Sequence, residues 1–396
     1  MSKKLLIVLG SLFVVSACAE SPSTPLLQPQ DEPPQSIAGY EPIPGQYIVV
    51  LKDQGTTPSG VASYIAGRPT GEVIHTYTRA LRGFAARLSP TELAALRADQ
   101  AVDYIEQDQV MRIVATQSPA TWGLDRTDQR ALPLSNSYTY SNTGSGVHSY
   151  IIDTGILLGH TEFTGRIGNG FDAVTNGGNA NDCNGHGTHV AGTVGGTTYG
   201  VAKATTLHPV RVLSCSGSGT NSGVIAGVDW VTANHVKPAV ANMSLGGGAS
   251  TALDDAVARS IAAGVSYSVA AGNGNQGGRQ QDACKYSPAR VPAAMTIGAT
   301  NNTDTKASWS NYGNCVDFFA PGVSITSAWY TSNTATSTIS GTSMAAPHVA
   351  GVAALYLQSN PGASPATVRD ALYANTTKGV VKSSSTANNH LLYSNY

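Results

Sequence analysis

Gly341-Thr342-Ser343-Met344-Ala345-Ala346-Pro347-His348-Val349-Ala350-Gly351 sets a serine between small residues at the mouth of an apolar helical pattern that continues through residue 358. A helix N-terminus favours a developing anion nearby, so a hydroxyl presented there is placed for nucleophilic chemistry. Serine is a weak nucleophile until a base takes its proton and a buried carboxylate orients that base. Two upstream stretches supply both. Asp153 ends the apolar run Tyr150-Ile151-Ile152, where a residue just past a strand end faces the ligand crevice of an open parallel sheet. His186 lies in Asn184-Gly185-His186-Gly187-Thr188-His189-Val190-Ala191-Gly192, ahead of a helical pattern at 188–194. The chain order is therefore Asp153, His186, Ser343. Asn273, in Ala270-Ala271-Gly272-Asn273-Gly274, reads by itself as a left-handed turn position.

Around these stretches, strand patterns at 147–152, 208–213, 239–244, 265–270 and 295–298 alternate with helical patterns at 222–234, 251–263, 343–358 and 365–374. Gly264 stops the second of those helices. Such alternation predicts an α/β fold with a mostly parallel sheet. At 396 residues the chain is too long for one ordinary domain and can bury a substantial core. A net charge of -1 with 12% charged residues leaves no basic face for nucleic acid and no polybasic membrane patch. Neutral or mixed polymers are the expected partners.

Residues 1–19 read as an export signal: Lys3 and Lys4 precede an apolar stretch at 5–17, too short to span a bilayer. Val15-Ser16-Ala17-Cys18 resembles a lipobox that would lipidate Cys18, and Ala17-Cys18-Ala19 equally fits ordinary signal cleavage. Residues 20–44, rich in Pro, Gln and Ser, read as a linker. From 45 to 114 the pattern is βαββαβ, with a capping box at Ser89-Pro90-Thr91-Glu92, which predicts a small α+β ferredoxin-like unit.

Other readings of the site compete. Cys183-x-x-His186-x-x-His189 spaces three metal ligands, but no HExxH and no second CxxC accompanies it. An α/β-hydrolase esterase would carry its serine first and in G-x-S-x-G, whereas here the serine comes last and Ala345 fills the final glycine position.

The order Asp153, His186, Ser343 within these motifs resembles the subtilisin-like serine proteases, one of several unrelated folds on which the same triad geometry recurs, each with its own chain order. Within them the proteinase K branch, and its aqualysin-like bacterial extracellular enzymes, match best, through Trp122-Gly123-Leu124-Asp125-Arg126-Thr127-Asp128-Gln129-Arg130 and the stretches 182–192, 241–248 and 341–356. The resemblance covers residues 43–396. It implies a mostly parallel sheet with helices on both faces, and identifies 45–114 as an inhibitory propeptide that assists folding. It also implies a catalytic domain at 115–396 released near Ala115 by self-cleavage, with no further domain expected after Tyr396.

The resemblance further implies a secreted, monomeric endopeptidase acting on proteins and peptides through an acyl-enzyme, with broad preference for apolar or aromatic residues before the scissile bond. Its propeptide is an intramolecular partner, and its mature form is not membrane-bound even if Cys18 is lipidated. By the same resemblance Asn273 is the oxyanion-hole side chain, and Gly217-Ser218-Gly219 and Ser244-Leu245-Gly246 are two edges that pair with extended peptide. Activity is expected to rise as His186 deprotonates, near pH 6.5 for an unperturbed imidazole.

In an exported chain Cys183, Cys215, Cys284 and Cys315 permit three pairings; the resemblance selects Cys183 with Cys215 and Cys284 with Cys315. Asp125, Asp128, Gln129, Ser135 and Ser137 resemble a family Ca²⁺ site of hard oxygens, and Asp317 with the carbonyls of Pro292 and Ala294 a second one. Calcium would be structural, and no organic cofactor is implied. Two departures stand out: Ala346 replaces the usual Thr, and 274–282 is longer than in relatives. An inactive fold serving as a binding protein is the non-enzymatic alternative, opposed by the intact Asp153, His186, Asn273 and Ser343.

Overall fold

The computed structural model describes residues 42–52, 58–68, 70–79, 81–109, 115–275 and 277–396. The export signal with Cys18, nearly all of the linker, and the junction at 110–114 lie outside these residues. Among those described, no helix is long and apolar enough to cross a membrane.

The N-terminal unit has the predicted βαββαβ order, with a four-stranded antiparallel sheet in which Pro42–Leu51 lies between Gly83–Arg87 and Val102–Gln109. Its first strand reaches back to Pro42, into the stretch read as linker, because Pro42 pairs with Gln109 and Gln107 Nε2 donates to the Ile43 carbonyl. Helix Pro90–Arg97 opens with a complete capping box: Ser89 Oγ accepts from Glu92 N, and the Glu92 carboxylate accepts from Ser89 N. Val49, Val61, Phe84 and Leu96 form the small core beneath the sheet.

From residue 115 onward the molecule is built on a nine-stranded sheet. The strands Phe318–Pro321, Met295–Thr300, Val265–Ala270, Ala239–Met243, His148–Asp153 and Thr206–Arg211 are parallel neighbours in that order. Alternation along each strand divides the core into two layers. Ile151 and Val240 face helices His186–Gly195 and Thr342–Ser359, whereas Tyr150, Ile152 and Ala241 face helices Asn221–Asn234 and Thr251–Ala262. Helices cover both faces, which is why the strands are apolar without interruption.

Several expected boundaries move. Asp153, expected just past its strand, is the strand's last residue and pairs with Arg211. The strand expected at 208–213 runs Thr206–Arg211, drawn two residues back by its register with His148–Asp153. The strand Phe318–Pro321 is absent from the expected set: it is four residues long and ends in proline, too short for alternation to register.

Candidate active site

The candidate residues converge at the carboxyl ends of the strands, where the sheet hands over to helix N-termini. Asp153 is fully buried, and its Oδ1 accepts from Thr154 N at 2.8 Å and from His186 Nδ1 at 2.7 Å. This makes Nδ1 the protonated nitrogen and leaves His186 Nε2 with its lone pair. Burial pushes the imidazole pKa down, but the Asp153 carboxylate, its hydrogen bond and the charge of Asp182 outweigh this, so the net shift is upward.

His186 is the first residue of its helix, after Gly185 at φ 107°. Because glycine at the N-cap has no side-chain acceptor, the orphan N–H groups of that turn need another partner. Three side chains share them: Asn184 Oδ1 accepts from His186 N at 3.2 Å, Thr154 Oγ1 from Gly187 N at 2.8 Å and Asp182 from Thr188 N at 3.0 Å.

Ser343 is the second residue of helix Thr342–Ser359. Four residues later Pro347 lacks the N–H that would bond to the Ser343 carbonyl, so that carbonyl is free and accepts from Ser244 Oγ at 2.7 Å. Ser343 Oγ in turn donates to the Ser244 carbonyl at 3.2 Å, and Asn242 Nδ2 holds Ser244 Oγ at 2.8 Å. The hydroxyl is thus engaged with Ser244.

Asn273 Oδ1 accepts from Thr342 N and from Thr342 Oγ1, both at 2.8 Å. With the oxygen so engaged, the Nδ2 donor is turned outward, and a Cβ on Gly341 would lie 3.4 Å from it. The loop after Asn273 is anchored by Asn311, whose Oδ1 accepts from Gly274 N at 3.0 Å and Gln281 N at 2.8 Å.

The two expected peptide edges flank one cleft of ≈ 440 Å³, lined by His186 with Gly217, Ser218 and Gly219 on one side and Ser244, Leu245 and Gly246 on the other. It continues past Leu245 and Gly246 into a pocket of ≈ 270 Å³ whose walls include Gly247, Gly248, Ala270, Ala271, Asn273, Ala289 and Ser343. Sequence reasoning missed Thr342, Asn311 and the pairing of Ser244 with Ser343.

Disulfides join Cys183 to Cys215 and Cys284 to Cys315. The first removes Cys183 from any metal set, while His189 Nε2 donates to the Ile325 carbonyl, so the zinc reading has no ligand cluster left. The five oxygen donors near residue 125 do come together. The Asp125 carboxylate accepts from Ser135 N, Ser135 Oγ and Asn136 N, Gln129 Oε1 accepts from Ser135 N, and the Ser135 and Ser137 hydroxyls lie 2.8 Å apart. Beside them Asp128 Oδ1 is buried without a partner, and burial, with the Asp125 charge adding to it, pushes the Asp128 carboxyl up to about 6. An orphaned carboxylate oxygen beside a second carboxylate and neutral hydroxyl and amide oxygens fits a hard cation. The second set fits less well, since the Pro292 carbonyl already accepts from Arg369 Nη1. There Asp317 accepts from Thr296 N and is pushed up to about 6 by burial, and Ala294 is buried.

A parallel sheet covered on both faces, with a carboxylate–imidazole pair and a helix-mouth serine at its strand ends, defines a serine hydrolase of subtilisin-like architecture. Residues 144–391 match the model of the Subtilase family and residues 46–114 that of the Peptidase inhibitor I9, and the chain belongs to the subtilase family. It is 59% identical to an "Extracellular serine proteinase" of Thermus sp. (strain Rt41A), with 98% of each chain aligned. It is 50% identical to "Alkaline serine exoprotease A" of Vibrio alginolyticus, over 94% of this chain and 70% of that one. A solved structure of a "cold adapted subtilisin-like serine proteinase" superposes with a TM-score of 0.67 at 56% identity, covering 70% of this chain and 99% of that one. The protein is accordingly a serine proteinase made with an inhibitor-type propeptide.

Proposed function

We propose that Asp153, His186 and Ser343 act as orienting carboxylate, general base and nucleophile, and that Asn273 Nδ2 with the Ser343 backbone N–H receives the oxyanion. The observation that carries this is the buried Asp153–His186 hydrogen bond of 2.7 Å, on the same cleft as the N-terminus that bears Ser343. Peptide binding turns Ser343 Oγ from Ser244 to His186 Nε2, which takes its proton as the oxygen attacks the carbonyl carbon. The C–N bond then breaks, the proton passes from Nε2 to the leaving nitrogen, and the acyl-enzyme is released by water through the same steps in reverse.

The substrate is an extended protein segment, held between Gly217-Ser218-Gly219 and Ser244-Leu245-Gly246. The glycine- and alanine-rich pocket beside Ser343 supports a broad preference for apolar or aromatic residues before the scissile bond. We further propose that residues 1–19 direct export, that the propeptide at 45–114 inhibits its own catalytic domain, and that a self-cut near Ala115 frees 115–396 as a secreted monomer. A lipid on Cys18 would stay with the discarded fragment. Asp125, Asp128, Gln129, Ser135 and Ser137 would hold a structural Ca²⁺, whose charge would offset that of Asp128. A second ion at Asp317, Pro292 and Ala294 would require Arg369 to leave the Pro292 carbonyl.

The deciding measurement is the intact mass of the exported product from wild type and Ser343→Ala. Wild type trimmed to a chain beginning near Ala115, with the variant uncut, is the expected result. Identical trimming of both would overturn the self-cleavage, and hydrolysis of a peptide by purified Ser343→Ala would overturn the role of Ser343.

A further inference from the structure

The catalytic histidine and one wall of the substrate cleft share a single side-chain amide. Asn184 Oδ1 accepts from His186 N at 3.2 Å, and Asn184 Nδ2 donates to the Cys215 carbonyl at 3.0 Å. Cys215 belongs to the tight turn closed by Ser214 N to the Ser218 carbonyl at 2.8 Å and by Gly217 N to the Ser214 carbonyl at 2.9 Å. A Cβ on Gly217, which has φ +77°, would come 3.4 Å from Asn184 Nδ2, so the amide lies directly beneath the edge. The nearby Cys183–Cys215 bridge holds the same two segments together with Cα atoms 5.0 Å apart, but a disulfide does not set which backbone groups face each other. The amide does, because both of its ends are engaged in directional bonds.

We propose that Asn184 is a positioning residue that couples the Gly217-Ser218-Gly219 edge to His186, so that peptide contacts remote from the scissile bond are expressed in turnover rather than in binding alone. The proposal rests on His186 being the base and on that edge pairing with substrate. Binding energy raises kcat only when it improves the transition state more than the ground state. A peptide strand that orders the edge would, through Nδ2 and Oδ1, also order the backbone that carries the imidazole.

The test is a series of chromogenic amides with one to four residues before the scissile bond, with kcat and KM measured separately on the mature enzyme. Wild type should show kcat rising with length. In Asn184→Ala the longest substrate should lose about 10-fold in kcat and the shortest less than about 3-fold, as expected for one neutral hydrogen bond per coupling step. Asn184→Asp, which keeps an acceptor for His186 N but removes the donor to Cys215, should flatten the length dependence in the same way while moving the acid limb upward. An equal kcat loss at every length, or a wild type whose kcat ignores length, would overturn the coupling. Flattening by Cys183→Ser/Cys215→Ser with none by either Asn184 variant would assign it to the disulfide instead. Continued dependence of all hydrolysis on Ser343 separates these failures from a failure of the catalytic assignment.

Discussion

Thr342 Oγ1 donates to Asn273 Oδ1 at 2.8 Å while accepting from Gly272 N at 3.0 Å. The threonine is fully buried at the helix mouth, one residue before Ser343, and it decides which end of the Asn273 amide faces the cleft. In Thr342→Val only the backbone N–H still holds Oδ1, so kcat should fall about 10-fold with KM little changed, the cost of one hydrogen bond felt in the transition state. Steady-state kinetics on a peptide amide checks this. Asn273→Ala should cost about 100- to 1,000-fold, and adding Thr342→Val to it should cost much less than the product of the two.

In the proposed triad Asp153→Asn removes the charge that would stabilise the imidazolium, and kcat should drop about 10⁴-fold. The acid limb provides a second readout. Because the His186 pKa is raised, wild type should lose activity as pH falls through a midpoint above 6.5, the unperturbed value. The residual activity of the variant should show that midpoint displaced downward in a profile of kcat/KM against pH.

Asp128 carries a calcium prediction whose sign follows from its raised pKa. The folded state holds this proton up to about pH 6 and the unfolded state only to about 3.8, so without cation stability falls as pH rises between those values. Calcium binding to the ionised group reverses the loss. In the Ser343→Ala background, to prevent autolysis, a chelator should lower the melting temperature at pH 7 and have little effect at pH 4. Asp128→Asn should be more stable than its parent in chelator at pH 7 and respond less to added calcium.

Arg126 is buried and makes two parallel bonds to Asp304, Nε to Oδ1 at 2.7 Å and Nη2 to Oδ2 at 3.1 Å. Arg126→Ala leaves the Asp304 carboxylate, itself largely buried, without its partner, so stability should fall by about 3–5 kcal/mol. Denaturant titration of the same Ser343→Ala background measures it. A loss confined to about 1 kcal/mol would mean that water reaches Asp304 when the arginine is gone.

Local pattern is enough to read much of this molecule. The strand 265–270 and the helix stop at Gly264 follow from apolar runs bounded by glycine, and Gly264 takes φ 112°, which only glycine adopts at little cost. The chemistry proposed for Asp153, His186 and Ser343 suggests itself in the sequence because each sits at the end or start of an element, where motif and element boundary coincide. The strand Phe318–Pro321 leaves no such trace because it is an element only by virtue of its neighbours, Met295–Thr300 on one side and His390–Leu391 on the other.

What the chain determined by itself is therefore the alternation of elements, the family signature and the candidate reactive groups, all carried by residues close together in sequence. Only the tertiary structure decided how those groups are held. Ser244 braces Ser343 across 99 residues, Asn311 anchors the loop after Asn273 from 37 away, and Asn184 reaches 31 residues to Cys215. Hydrogen bonds of this kind depend on distance and angle in space, and no spacing along the chain encodes either.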